Sequence, residues 1–314
     1  MREISIFSGS AHRDLAAEIC GHLGVPLHPA TIRRFATDCL EVQLQSNCRE
    51  RDVFLIQPLS APVQEHLVEL LLMLDAARGA SAARVTAVIP HYAYARSDKK
   101  TMPRVSIGGR LVADLLVTAG ASRVLMMTLH SPQVHGFFSV PVDHLHALRE
   151  IAAHFRTQDL ANSVVVSPDL GNAKQAAALA TMLGLPVAAG AKTRLNDEEV
   201  NITSIIGDVA GRNVIVLDDE IARGTTIIEI LAKLRERGAR SVRIACTHGL
   251  FCDGALKRIA AWPEVQQIVC TNTVAIADSE HDEKLHVISI APALAEAIRR
   301  IHEGESVSAL FDPH

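Results

Sequence analysis

Asp218 and Asp219 stand side by side at the end of an apolar run, Val214-Ile-Val-Leu217, and Gly224-Thr225-Thr226 then opens an amphipathic stretch reaching about Arg237. A buried strand, two carboxylates, a turn and a helix start follow one another. The free N–H groups and positive end of such a helix attract an anion, and threonine hydroxyls add donors. Paired carboxylates repel the anion itself, but they accept hydrogen bonds from sugar hydroxyls or share a cation. A phosphate cradle beside an acid pair therefore suits a ribosyl phosphate. The same residues also fit a plainer use, with the acids capping the helix and Gly-Thr-Thr forming an ordinary turn.

Two cationic clusters accompany the cradle. The stretch from Tyr94 to Arg104 carries Arg96, Lys99, Lys100 and Arg104 against the single acid Asp98, and can clamp a polyphosphate or simply be a solvated charge run. Lys192 and Arg194, two residues apart after a strand, form the second cluster. His130 and Asp169 follow apolar runs and can help hold Mg²⁺, whose shell is usually completed by water and phosphate oxygens. Together these residues describe a phosphate-handling enzyme that uses a nucleotide and a sugar phosphate.

The elements that must position them alternate strand and helix from end to end, the pattern of α/β layers around parallel sheets. Strands are expected at 4–7, 163–166, 187–189, 214–217 and 268–270. Helices are expected at 12–23, 62–78, 144–155, 172–183, 225–237 and 292–302. The runs 41–44 and 52–56 read as a half-buried pair, and 198–204 as exposed and mobile. A weak repeat begins at Gly79, Gly120 and Gly238: a Gly-Ala helix stop, a strand, then His91, His130 or His248. Each histidine falls outside a strand's carboxyl end, where open α/β sheets place ligands. The repeat suggests two domains, 1–145 and 146–314.

Composition narrows the partners. A chain of 314 residues, 48% hydrophobic and 21% charged, fits a globular protein with ample core, and 4% aromatics fits the Ala, Val, Leu and Ile filling of parallel sheets. The net charge of -4 gives no case for nucleic acid. No apolar run reads as a signal peptide or a membrane span, so a cytoplasmic protein is expected. The six scattered cysteines lack C-x-x-C spacing and read as reduced, mostly buried thiols.

In order along nearly its whole length, the chain resembles the ribose-phosphate diphosphokinase (phosphoribosyl diphosphate synthetase) family. The landmarks are Phe35, Tyr-Ala-Arg96 with Asp98, Val112-Ala-Asp114, Leu-His130, Gly-Phe-Phe138 with Val-Pro-Val-Asp143, and Val-Val-Ser-Pro-Asp169. Further on come Ile-Ile-Gly-Asp208-Val, Gly211-Arg212, the acid pair, Thr-His248, Leu-Ala-Glu-Ala-Ile-Arg-Arg300 and Glu-Ser-Val-Ser-Ala-Leu-Phe311.

The resemblance implies two phosphoribosyltransferase-like domains, each a mostly parallel sheet flanked by helices, and a homo-oligomer, often a hexamer. It implies Mg²⁺-dependent transfer of the diphosphoryl group of ATP to the 1-hydroxyl of ribose 5-phosphate, releasing AMP. Lys192 and Arg194 would stabilise the transferring group, and His130 and Asp169 would be the metal positions. Arg96, with Ser97 and Asp98, would meet ATP, and Phe35 would stack on adenine from a neighbouring subunit. Asp218 and Asp219 would hold the ribose hydroxyls, with Arg194 and the turn Ala222-Arg223-Gly224-Thr225-Thr226 around the phosphate. Arg49, Arg104, Ser306, Ser308 and Phe311 resemble the family's regulatory surface.

The chain departs from the family where substrates are recognised. The usual cradle D-D-x-x-D-T-G-G-T has Ala222, Arg223 and Thr225 in place of Asp, Thr and Gly. The adenine loop F-S-D-G-E reads Phe35-Ala-Thr37-Asp-Cys39, Ser97 replaces Gln, and Thr128 replaces Asp. Two other readings follow. Arg223 suits a 5-diphosphate ester such as ADP-ribose, and the adenine-loop losses suit a silent subunit that regulates an active paralogue.

Overall fold

Short runs of Val, Ile and Leu become parallel strands here because helices cover both sheet faces, and branched side chains pack well on a pleated surface. The computed structural model describes residues 3–194, 200–277 and 280–310, without the side chains at 192–194 and 200–203. Contacts divide the chain into two units.

The first unit runs to His146. It contains β1 (Ile4–Ser8), α1 (Arg13–Leu23), β2 (Leu27–His28), β3 (Ala30–Arg34), β4 (Leu40–Leu44), β5 (Asp52–Ile56), α2 (Val63–Gly79), β6 (Arg84–Ile89), α3 (Gly108–Ala119), β7 (Arg123–Met127) and β8 (Val142–Leu145). Its parallel sheet has the order β2-β1-β5-β6-β7-β8, while β3 and β4 form a separate antiparallel hairpin. The expected half-buried pairing of 41–44 with 52–56 is therefore incorrect. Every residue of β5 is buried inside the parallel sheet, and β4 alternates exposed and half-buried residues against β3. The helix expected from His144 begins at Leu148, because 142–145 pair with β7 as an edge strand.

The second unit, from Ala147 to Asn272 with Ile276–Ser289, contains α4 (Leu148–Arg156), β9 (Ser163–Ser167), α5 (Ala173–Leu183), β10 (Val187–Arg194), β11 (Val200–Ile206), β12 (Asn213–Ile221), α6 (Thr225–Glu236), β13 (Ser241–Gly249), α7 (Ala255–Ala260), β14 (Val265–Thr271) and β15 (Leu285–Ile288). Its sheet order is β11-β10-β9-β12-β13-β14-β15, parallel except for the β10–β11 hairpin. The stretch expected to be exposed and mobile, 198–204, includes 200–204, which form part of β11; residues 195–199 lie outside the described residues.

The last helix, α8 (Ala291–Glu303), belongs to the first unit, so the units differ from the contiguous halves 1–145 and 146–314. Its buried stripe of Leu294, Ala297, Ile298 and Ile301 needs apolar cover and packs against α1. A polar latch pins its end. The carboxylate of Asp52, fully buried, accepts from both Nε and Nη2 of Arg84, and His302 Nδ1 lies 2.9 Å from Asp52 Oδ2. Arg84 also donates to the carbonyls of Ile301 and His302 at 3.3 Å each.

Both sheet orders contain a reversal of direction, the crevice where α/β sheets bind ligands beyond strand carboxyl ends. In the first unit it lies between β1 and β5, and the chain's own side chains fill it. A Cβ on Gly9 would meet Gln57 Oε1 at 2.3 Å and Glu69 Oε1 at 2.6 Å, and Glu69 accepts from the Ser10 hydroxyl at 2.7 Å. In the second unit the reversal falls between β9 and β12, the strands that lead to Asp169 and Asp218.

Candidate active site

Carboxylates converge where β9 and β12 end. The Asp169 loop is folded by local bonds: Ser167 Oγ donates to the Asp169 carbonyl at 2.5 Å, and Asp169 Oδ1 accepts from the Asn172 N–H at 3.1 Å. Asn172 Nδ2 reaches across to the Leu217 carbonyl at 2.9 Å, tying this loop to β12. Asp218 Oδ1 accepts from the Asp219 N–H at 3.0 Å. Burial pushes the Asp218 carboxyl well above the usual range, and the charges of Asp219 and then Asp169 push the same way. Beside Asp218 on β13, burial pushes the Cys246 thiol up, with Cys270 and both aspartates adding to the effect.

The cradle follows directly. Gly224 is the N-cap of α6 at φ 73°, a left-handed conformation that glycine adopts without strain, and α6 has no side-chain cap. The apolar stripe Ile227, Ile230, Leu231 and Leu234 fixes α6 against the sheet, leaving its N-terminus beside the acids. Gly224 is also needed for space, since a Cβ there would meet Ile259 Cδ1 of α7 at 2.9 Å. Ala222 and Thr226 are half-buried, whereas Arg223 and Thr225 are exposed.

The second cationic cluster stands on β10 itself rather than after it: the backbones of Lys192 and Arg194 pair with Ile202 and Val200 of β11. Their side chains lie outside the described residues. Gly190 lets this strand approach the Asp169 loop, since a Cβ would meet the Pro168 carbonyl oxygen at 2.5 Å.

The remaining predicted residues belong to the first unit. Phe35 sits at the tip of the β3–β4 hairpin, 50% exposed, in a turn closed by the Phe35 N–H to the Cys39 carbonyl at 2.9 Å. Arg96 ends a 3₁₀ turn and is exposed. Ser97 is engaged within the loop, its Oγ accepting from the Gly108 N–H at 2.8 Å, and Asp98 accepts from Gln133 at 2.5 Å. His130 is exposed beyond β7, next to Leu129, whose N–H donates to His144 Nε2 at 2.8 Å. The other two histidines of the repeat are buried, and His91 Nδ1 lies 3.0 Å from the Leu59 carbonyl. Arg49, Arg104, Ser306 and Ser308 are exposed; Ser306 Oγ donates to Ser308 Oγ at 3.1 Å, and Phe311 lies outside the described residues.

Sequence reasoning missed Asn172, Asp253 and Arg258. Asn172 stands at the start of α5 and reads as a plain cap; Arg258 reads as surface charge on α7. Both act on backbone carbonyls distant in sequence, of Leu217 in β12 and of Arg223 in the cradle turn, a contact with no signature in residue spacing. All six cysteines are free thiols, four of them buried. Among the described residues no group of three His, Cys, Asp or Glu is arranged to hold a metal ion, and no helix is long and apolar enough to cross a membrane.

Two mostly parallel sheets with helical layers, one presenting a carboxylate pair and an uncapped helix N-terminus at its switch point, define a phosphoribosyltransferase-like class of protein. Residues 4–120 match the family model of the N-terminal domain of ribose phosphate pyrophosphokinase, and residues 194–312 that of the phosphoribosyl synthetase-associated domain. A Streptomyces coelicolor protein, named provisionally as a ribose-phosphate pyrophosphokinase, is 72% identical across 99% of this chain and 98% of its own. The Deinococcus radiodurans ribose-phosphate pyrophosphokinase is 50% identical across 98% and 97%. The crystal structure of phosphoribosylpyrophosphate synthetase from Mycobacterium smegmatis superposes with a TM-score of 0.90 at 39% identity, covering 96% of this chain and all of the other. The chain belongs to the ribose-phosphate pyrophosphokinase family.

Proposed function

We propose that this enzyme transfers the β,γ-diphosphoryl group of ATP to the 1-hydroxyl of ribose 5-phosphate, giving phosphoribosyl diphosphate and AMP. The observation that carries the reading is the acid pair among the last residues of β12, five residues before the N-cap Gly224 of α6. In a chain of this family, that pairing suits one ligand with hydroxyls at one end and a phosphate at the other. Asp218 and Asp219 accept hydrogen bonds from the ribose hydroxyls. The first N–H groups of α6, with Thr225, Thr226 and the 222–224 turn, surround the 5-phosphate.

With the sugar so held, its O1 forms a bond to the β-phosphorus of ATP as the bond to the α,β-bridging oxygen breaks. AMP departs with that oxygen, and the O1 proton passes to solvent. The protein's part is positioning and charge stabilisation. Lys192 and Arg194 supply positive charge to the transferring group, and Arg96 to the ATP phosphates, while Phe35 stacks on adenine in a neighbouring subunit of a homo-oligomer. Mg²⁺ fits the chemistry of the site. Oxygen donors suit it, a divalent ion relieves the repulsion that Asp219 and Asp169 add to the effect of burial on Asp218, and its shell is commonly completed by phosphate and water. Asp169 would hold it, and when bound it would neutralise charge on the phosphates. We place the enzyme in the cytoplasm, where its nucleotide and sugar-phosphate substrates are.

Calorimetric titration with ribose 5-phosphate tests the site. Asp219→Asn and Asp218→Asn should each weaken binding roughly tenfold, the scale of a lost hydrogen bond to a charged group. Wild-type affinity in both variants would remove the dyad from the sugar site.

A further inference from the structure

Arg223 puts a cation into the cradle turn, and the structure gives it a definite resting place. Its Nε lies 3.2 Å from Asp253 Oδ2, with the two side chains 78% and 67% exposed. The Arg223 backbone is fixed separately. Arg258 of α7 donates from Nη2 to the Arg223 carbonyl at 2.6 Å, and from Nη1 to the carbonyl of Asp253. One guanidinium thus fastens the cradle turn to the loop that carries the competing acid. Asp253 itself is held at φ 55°, and Gly254 caps α7 at φ 70°.

Two physical consequences follow. Because a trans peptide points its C=O and N–H in opposite directions, pinning the Arg223 carbonyl toward α7 turns the Gly224 N–H away from α7. That N–H thereby joins the open N-terminal end of α6 instead of being buried against Ile259. Second, an ion pair this exposed is weak and easily exchanged, whereas a guanidinium on a dianionic phosphate gains charge-assisted, bidentate hydrogen bonds. A phosphate seated at α6 draws Arg223 from Asp253 at little cost.

We propose that Arg223 is a specificity arm for the substrate's terminal phosphate, that Asp253 is its built-in competitor, and that Arg258 is the positioning residue that keeps the turn open to the anion. This deepens the assignment of the 222–226 turn to the ribosyl phosphate and rests on it. The arm favours phosphates with full dianionic charge and weakens acceptors that present less charge at that position.

The test is a double-mutant cycle read by the separate KM values for ribose 5-phosphate and ATP. Asp253→Asn frees the arm, so the KM for ribose 5-phosphate should fall roughly two- to five-fold while that for ATP stays put. Arg223→Met should raise the KM for ribose 5-phosphate, and in that background Asp253→Asn should have no effect. Arg258→Met should raise the same KM, with Arg258→Lys restoring part of the loss. An unchanged or higher KM in Asp253→Asn, or an effect that survives in the Arg223→Met background, overturns the arm. Gly224→Ala separates this from failure of the cradle itself. It should raise the KM for ribose 5-phosphate whether or not Arg223 acts, and if neither Gly224→Ala nor any arm variant moves that KM, the phosphate is bound elsewhere.

Discussion

Asn172 Nδ2 donates to the Leu217 carbonyl at 2.9 Å, so the loop bearing Asp169 and the strand bearing Asp218 are held as one piece. The bond sets the spacing between the group assigned to the metal and the groups assigned to the sugar, and catalysis by positioning is sensitive to small errors in such spacing.

Asn172→Ala should therefore cost about 1 kcal/mol of stability, the net value of a typical hydrogen bond, and lower kcat/KM roughly tenfold. Urea unfolding and steady-state kinetics on the same preparations check both numbers. An activity loss no larger than the stability change can explain would make the bond merely structural.

Asp218 gives a pH signature. Burial first, then Asp219 and Asp169, raise its carboxyl in the folded protein, so the folded state holds the proton more tightly than the unfolded chain does. Stability contributed by this group is present at low pH and is lost as pH rises from the unfolded value, near 3.9, through the raised folded value. Asp218→Asn should therefore melt at a higher temperature than wild type at pH 7, with the gain shrinking toward pH 4, while turnover falls. Calorimetric melting across pH measures it; a lower melting point at pH 7 would contradict the sign.

The Asp52 latch should dominate the attachment of α8. Arg84→Met leaves a fully buried carboxylate with only His302, and removing one partner of such a pair costs about 3 kcal/mol. His302→Ala should cost less, because both Arg84 bonds remain. Hydrogen exchange should show α8 amides losing protection in Arg84→Met before those of β5 do.

In the second unit, His154 Nε2 lies 2.9 and 3.1 Å from the side-chain amides of Gln158 and Gln267, and its ring is 6.0 Å from that of His286. Burial pushes this imidazole below its ordinary value; the Gln267 hydrogen bond opposes the shift and the charge of His286 adds to it. The unfolded chain binds the proton more readily, so stability is full above about pH 6.5 and falls as pH drops from there toward the lowered folded value. His154→Gln should flatten that part of the stability curve relative to wild type, as followed by urea midpoints between pH 7.5 and 5.

Much of this was legible in the sequence because the information was local. Apolar runs, the Gly-Ala helix stops and the spacing from Asp219 to Gly224 placed β12, α6 and the turn between them close to where they stand. The errors arose where distant partners decide. Residues 52–56 look half-polar because Asp52 begins them, yet Arg84 and His302 partner that acid and let β5 run through the sheet centre. Residues 144 and 145 read as the start of a helix but pair with β7. Arg258 and Asn172 were invisible for the same reason, since each serves a carbonyl 35 or 45 residues away in sequence.

The most direct test of the whole account is ³¹P NMR of the purified protein with ATP, ribose 5-phosphate and Mg²⁺. The account predicts AMP and a sugar 1-diphosphate rising in equal amounts as ATP disappears. ADP with a sugar phosphate monoester, or AMP with free diphosphate and unchanged ribose 5-phosphate, would contradict it.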